Sequence, residues 1–178
     1  MALLTETTCV PEDEPIIGWR VWVLGGYPEE PRLQSLAWNQ RFTWPSGGKA
    51  AGPDSFGFNA FENEQPARNM ADTRLLVGQV KLWGRVRPSL YEGTWPLALG
   101  EYAYPLAVEV PLNPDAVVTE AYATETWAPA NAEQVMAALR EAYPGVEFTE
   151  KWYRTPDHLD KAKHLAKQRA DAQSRWKA

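Results

Sequence analysis

Apolar and polar residues alternate with a period of two along Gln79-Val80-Lys81-Leu82-Trp83-Gly84-Arg85-Val86-Arg87. Val80, Leu82 and Val86 share one parity, while Gln79, Lys81, Arg85 and Arg87 share the other. On a strand, that parity sends the first set into a core and leaves the second on an open face. Trp83 interrupts the rule, because its indole falls on the polar face among cations. A second run, Leu97–Val110, follows through a turn-rich aromatic connection, and the two together predict a long β-hairpin. Pro105 lies inside the second run and cannot donate to a ladder, so that strand must be an edge or bend there.

Shorter segments fill in the rest. Ile16–Leu24 predicts a strand with Ile17, Trp19, Val21 and Val23 on one side, ended by Gly25-Gly26-Tyr27-Pro28. Leu33–Trp38 and Arg41–Trp44 read as a strand pair with a tight connection at Asn39-Gln40. The aromatic run Phe56–Phe61 opens a strand or a buried turn, Glu62–Met70 a short helix, and Val117–Thr124 a further strand. The period then changes to that of a helix. Asn131 with Glu133-Gln134 reads as an N-cap with its capping-box partner, and Val135, Leu139 and Ala142/Tyr143 follow at helical spacing up to Pro144-Gly145. Val146–Phe148 returns to the sheet. Thr155-Pro156-Asp157 starts a last helix, a capping hydroxyl followed by Pro at the first helical position, and its apolar seam is thin.

The fold class is therefore α+β: a twisted antiparallel sheet or partly open β-barrel, followed by a helix, a short strand and a C-terminal helix. Three regions result: an acidic, mobile N-terminus over 1–15, an α+β domain over 16–150 and a basic helix over 151–178. The 178 residues suffice for one buried core, and nine tryptophans supply much of its area.

Charge narrows the function classes. The formal net charge of −5 argues against a general nucleic-acid binder, which needs cations to neutralise phosphates. It is unevenly distributed: residues 1–155 hold 12 Lys+Arg and 20 Asp+Glu, residues 156–178 hold 6 and 3. The last helix thus offers a weak nucleic-acid contact as one alternative, although Asp157, Asp160 and Asp171 dilute its cations. The single cysteine, Cys9, excludes an intrachain disulfide and a thiolate metal cluster. No apolar run reaches the roughly 20 residues of a membrane span, and the N-terminus does not read as a secretion signal. A cytoplasmic protein without cofactor or membrane is the expectation.

Known reaction motifs are not met. Gly47-Gly48-Lys49-Ala50 ends like a phosphate loop, but the opening glycine is Thr43 and the magnesium-binding hydroxyl is Ala50. His158 and His164 stand six apart, about 240° around a helix, and cannot share a metal. Glu101, between Gly100 and Tyr102-Ala103-Tyr104, has two readings. It could act as an acid in a small hydrolase or transferase with Tyr102 or Tyr104, or pair with Arg85 or Arg87 across the hairpin. The contact-surface reading is non-catalytic. Lys81, Trp83, Arg85 and Arg87 share a strand face, Tyr91 and Trp95 follow in the turn, and aromatics with Arg are enriched at the energetic centres of interfaces. These six residues form the predicted partner-binding set, with no metal ligands and no catalytic group among them.

A series of short matches carries a resemblance: Gly-Trp-Arg-Val-Trp at 18–22, Trp-Pro-x-Gly at 44–47, Phe-Gly-Phe-Asn-Ala-Phe at 56–61, Gly-Gln-Val-Lys-Leu-Trp-Gly-Arg-Val at 78–86 and Glu-Tyr-Ala-Tyr-Pro-Leu at 101–106. The chain resembles, over roughly 16–110, a group of small, uncharacterised proteins of actinobacteria and their bacteriophages. Many of those carry a Cys-x-Cys-Gly before the aromatic-Ala segment. Here the matching positions hold Asp54 and Phe56, so no thiol or metal role carries over. The resemblance implies no activity. It implies a context: a cytoplasmic, phage-encoded protein that acts on a host component.

Overall fold

The computed structural model describes residues 6–25, 30–35, 42–53, 57–70, 75–112 and 129–152. The hairpin foreseen at the centre of the chain is its framework. β5 (Leu76–Tyr91) and β6 (Trp95–Leu112) run antiparallel from Val77↔Glu109 to Tyr91↔Trp95. Val80, Leu82 and Val86 are all fully buried, as their parity requires.

Each edge of this ribbon recruits the other strands. On the β5 side lie β2 (Ile16–Gly25), paired from Ile16↔Leu82 to Trp22↔Leu76, and β1 (Thr8–Val10), paired from Thr8↔Val86 to Val10↔Gly84. On the β6 side lie β4 (Phe58–Phe61), a bridge from Ala51 to Ala103, and β7 (Glu147–Trp152). β3 (Arg32–Ser35) pairs with β2. The sheet curls until β4 meets β2 at Trp19↔Phe61, without closing into a barrel.

Among the described residues two helices cover the sheet. α1 (Glu64–Met70) sets Pro66 and Ala67 on a small cluster of Val21, Phe61, Val77 and Leu97. α2 (Pro129–Ala142) buries Val135, Met136 and Leu139 in the main core with Trp22, Leu33, Trp44 and Phe58. The α+β class therefore holds, with a mixed sheet rather than an antiparallel one. β7 runs parallel to β6, since a helix crossover returns the chain in the same direction.

Other expectations are corrected. The N-terminal lead-in is not structureless throughout: Thr8 and Val10 are β-branched, Val10 is buried, and the strand they form takes the free side of β5. Val10 is its buried residue, and the acidic part, Glu12–Glu14, is exposed in a turn closed by Glu14 N–H donating to Pro11 O at 3.3 Å. α2 begins at Pro129, where its fixed φ suits a first turn, so Asn131 lies inside the helix and is not the cap. β7 takes residues 151 and 152, which had been given to the last helix. The remainder of that helix, His158 and His164, the strand at 117–124 and the connection at Asn39-Gln40 lie outside the described residues. Of the strand pair around that connection, the described residues hold β3 and an isolated bridge from Gln34 to Thr43, with Ser35 N–H donating to Phe42 O and Trp44 N–H to Leu33 O, both at 2.9 Å. Pro105 marks a bend: the ribbon shifts register between Gln79 and Val80, just before β6 takes up β7 at Ala107.

β2 holds the least expected core residue. Its odd positions Trp19 and Val21 face the α1 cluster, while Trp22 and Leu24 enter the main core with Arg20 between them and Gly18. The Arg20 guanidinium donates to Ser35 Oγ at 2.7 Å and to both the carbonyl and side-chain oxygens of Asn59, and lies 5.2 Å from the centroid of Trp44. Burial lowers its pKa to about 10. Neutral oxygens and an indole face thus take the place of a carboxylate among the described residues.

Tyr143 ties three segments together. Its hydroxyl donates to Trp44 O and accepts from Leu33 N–H, each at 3.0 Å, and its ring is fully buried. Replacing it with Phe leaves a buried donor and a buried acceptor without partners. Tyr143→Phe is therefore expected to lower the unfolding free energy by about 2–4 kcal/mol, read from the urea midpoint.

A charged cluster fastens α1 to the ribbon. Arg68 holds Glu109 through both guanidinium nitrogens, one at 2.6 Å, and Glu64 at 2.7 Å, with Trp19 beneath it at 5.9 Å. The hydrogen bonds from Arg68 hold the Glu109 carboxyl below the usual carboxylate range against its partial burial. A depressed acid stabilises the fold above its ordinary pKa of 4.5 and loses that stabilisation as pH falls below it. Glu109→Gln should flatten the loss of stability between pH 5 and pH 3 (rough bounds of that titration), measured by thermal melts. An unchanged acid limb would place the titration elsewhere.

Candidate functional site

A bulge in β5 organises the predicted contact surface. Between Trp83↔Tyr102 and Val86↔Gly100 the register shifts by one, so Gly84 and Arg85 together oppose Glu101. Gly84 sits at φ 75°, as a glycine-led bulge requires. A Cβ there would lie 2.7 Å from Tyr102 Cδ2 and 3.0 Å from Glu101 Oε2, so no other residue fits without displacement. Glycine inside a strand pattern is the sequence signal for such a bulge.

The bulge fixes its neighbours. Glu101 accepts from the Arg85 backbone N–H at 3.1 Å and stands 3.5 Å from Arg85 Nε. The ion-pair reading of Glu101 is thus the one realised. The Arg85 side chain remains 78% exposed. Trp83 is half-buried and lies nearly parallel to Tyr102, with centroids 6.0 Å apart and planes at 16°. It also packs against the main core. The aromatic partner of Trp83 is Tyr102, and the cations over indoles are found instead at Trp44 and Trp19. Lys81 is partly exposed beside Tyr104 and Ile17, its cross-strand neighbours.

The six predicted residues do not form one continuous patch. Arg87 is exposed one step past the bulge, but Tyr91 and Trp95 pair at the far end of the ribbon. Trp83 and Tyr91 are separated by eight strand positions, at most roughly 26 Å. Tyr91 packs edge-on against Phe61 at 5.6 Å, and burial lifts its phenol above the ordinary value, with Glu92 adding to the rise. Trp95 is 40% exposed and its neighbour Leu90, absent from the predicted set, 57%. Leu90 shares the parity of Val80, Leu82 and Val86 but is exposed at the end of the ribbon, beside the turn at Glu92-Gly93. The site is therefore two aromatic patches on one ribbon, one basic and one apolar.

The residues of the enzymatic alternative are engaged structurally. Tyr102 is stacked on Trp83, Glu101 serves the bulge, and Tyr104 donates its hydroxyl to Pro144 O at 2.8 Å. Burial lifts the Tyr104 phenol above its ordinary value. A separate cleft of about 360 Å³ opens between β3 and α2, lined by Glu30, Arg32, Ser46 and Glu141, away from these groups. Among the described residues no group of three or more metal-ligating side chains is found. None of the described helices is long and apolar enough to cross a membrane.

Gly84→Ala tests the bulge directly. The positive φ and the clash with Tyr102 should lower stability by about 1–3 kcal/mol. Glu101→Gln, which keeps an acceptor for the Arg85 N–H, should cost about 1 kcal/mol or less. Chemical denaturation of both variants gives the comparison; equal effects would show that the backbone at Gly84 is not constrained.

Set against family models, curated proteins and solved structures, the chain matches none of them.

Proposed function

We propose that this protein is a non-catalytic binding module that engages another protein through the outer face of the β5–β6 ribbon. The observation that carries the reading is Trp83: a half-exposed indole stacked on Tyr102, next to the 78% exposed guanidinium of Arg85 at a rigid bulge. An aromatic held in one orientation loses little freedom on binding, and such residues beside Arg dominate interface energetics. Lys81 and Arg87 extend the basic side of this patch. Tyr91 and Trp95, with Leu90, give the ribbon a second, apolar contact at its tip.

A bacterial host factor is the partner class that the phage-related resemblance suggests, and a cytoplasmic setting goes with it. The engagement of Glu101, Tyr102 and Tyr104 in the bulge, the stack and the Pro144 contact favours binding over catalysis.

The test is affinity capture from an actinobacterial lysate with tagged wild type, the double variant Trp83→Ala/Arg85→Ala and the surface control Glu6→Gln. A partner retained by wild type and control, and lost by the double variant with its circular dichroism unchanged, is the expected result. Retention of every partner by a folded double variant would reject the ribbon as the binding face.

A further inference from the structure

Three segments wall the cleft of about 360 Å³ between β3 and α2. The start of β3 brings Glu30 and Arg32, the turn after Trp44 brings Ser46 and Gly47, and the last turn of α2 brings Glu141. One buried side chain fixes all three. The Tyr143 hydroxyl donates to Trp44 O and accepts from Leu33 N–H, each at 3.0 Å, and Tyr143 directly follows α2. Gly47 N–H also donates to Ala142 O at 2.7 Å, which closes the turn onto the helix end. The cleft is thus built into the fold, and a preformed site loses little freedom when a ligand enters.

Its walls differ in charge. The Arg32 side chain is 24% exposed and anchored by Nη1 donating to Pro31 O at 2.9 Å. Its ion pair with Glu30 is a loose one: the carboxylate stands 3.4 Å away and is 78% exposed, so a ligand carboxylate can displace it. On the α2 wall Glu141 is exposed and has no ion pair among the described residues. It lies in the last turn of the helix, where the terminal carbonyls add partial negative charge. The lining between these charges is small: Ala138 and Ala142 bring methyl groups, and a Cβ on Gly47 would meet nothing within 4 Å. A simple anion would meet Glu30 and Glu141, and a simple cation would meet Arg32. A molecule that carries both charges close together suits both walls.

We propose that this cleft binds a free α-amino acid with a small aliphatic side chain. Its carboxylate pairs with Arg32, its ammonium with Glu141, and its side chain lies over Ala138 and Ala142. Ser46 adds a hydroxyl that can serve either charge. The volume lies near the small end of ligand sites, roughly 300–1,000 Å³, and fits one amino acid rather than a peptide. The inference goes beyond the ribbon reading and uses none of its residues, so each can fail without the other.

Amide NMR of the full-length chain, titrated with L-valine, isobutylamine and isovalerate, tests it. The last two keep the side chain of valine and lack one charge each. Valine should shift the amides of Gly47, Ala138 and Glu141 saturably at millimolar concentration, and each analogue should bind at least about tenfold more weakly. Arg32→Gln and Glu141→Gln should each weaken valine binding by about tenfold. Glu30→Gln, which removes the competing carboxylate, should tighten it, a gain that a damaged protein would not give. Amides remote from the cleft report whether each variant is folded. No saturable shift with valine, equal binding of either analogue, valine binding unchanged in either Arg32→Gln or Glu141→Gln, or weakening by Glu30→Gln would overturn the proposal.

Discussion

The β5–β6 ribbon is the constraint on which the rest of the molecule depends. One edge carries β2 and β1, the other β4, the Ala51 bridge and β7, so most sheet pairing passes through it. Strands of 16 and 18 residues cannot stay flat over that length, and the ribbon bends at its two register shifts. The shift near Pro105 falls where β6 changes neighbours. The shift at Gly84 does something different, because it stations Trp83 and Arg85 on the outside of the sheet's most supported strand. A contact residue placed on a rigid element keeps its orientation, and here the element is fixed from both edges.

Polar groups inside the fold follow the same logic of shared support. Arg20 and Tyr143 are both buried, and both reach segments distant in sequence: Ser35 and Asn59 for the first, Leu33 and Trp44 for the second. Trp44 joins the two networks, since its indole N–H donates to Ser35 Oγ at 2.9 Å and its carbonyl accepts from Tyr143. The loop around Trp44, β3 and the end of α2 are thereby held against the curled sheet. Each such bond is modest, but a buried group deprived of its partner is costly. The arrangement therefore favours one packing over its alternatives.

How much of this was legible in the chain varies by element. Alternation exposed β5 and β2, because one face of a strand must be apolar whatever it packs against. The helix at Val135–Ala142 was equally plain from its spacing, but its start was displaced by a capping pattern at Asn131 that competed with Pro129. The parallel return of β7 is a property of the crossover and leaves no mark in six residues. Arg20 was unreadable as a core residue, since an arginine between tryptophans looks like a polar-face position until Asn59 and Ser35 are brought to it. At the candidate site, Trp83, Arg85 and the Glu101 pairing followed from strand parity. The separation of Tyr91 and Trp95 from them did not, because it depends on how far the hairpin extends before it turns.

The central claim is that Trp83 is stacked on Tyr102 and partly exposed, while Trp22 and Trp44 are sealed. NMR on Trp-labelled protein with a soluble paramagnetic agent tests this most directly. The account predicts contacts between the Trp83 indole and the Tyr102 ring, with Trp83 signals broadened by the agent and those of the buried Trp22 and Trp44 spared. Protection of Trp83 equal to that of Trp22, or no contact with Tyr102, would contradict it.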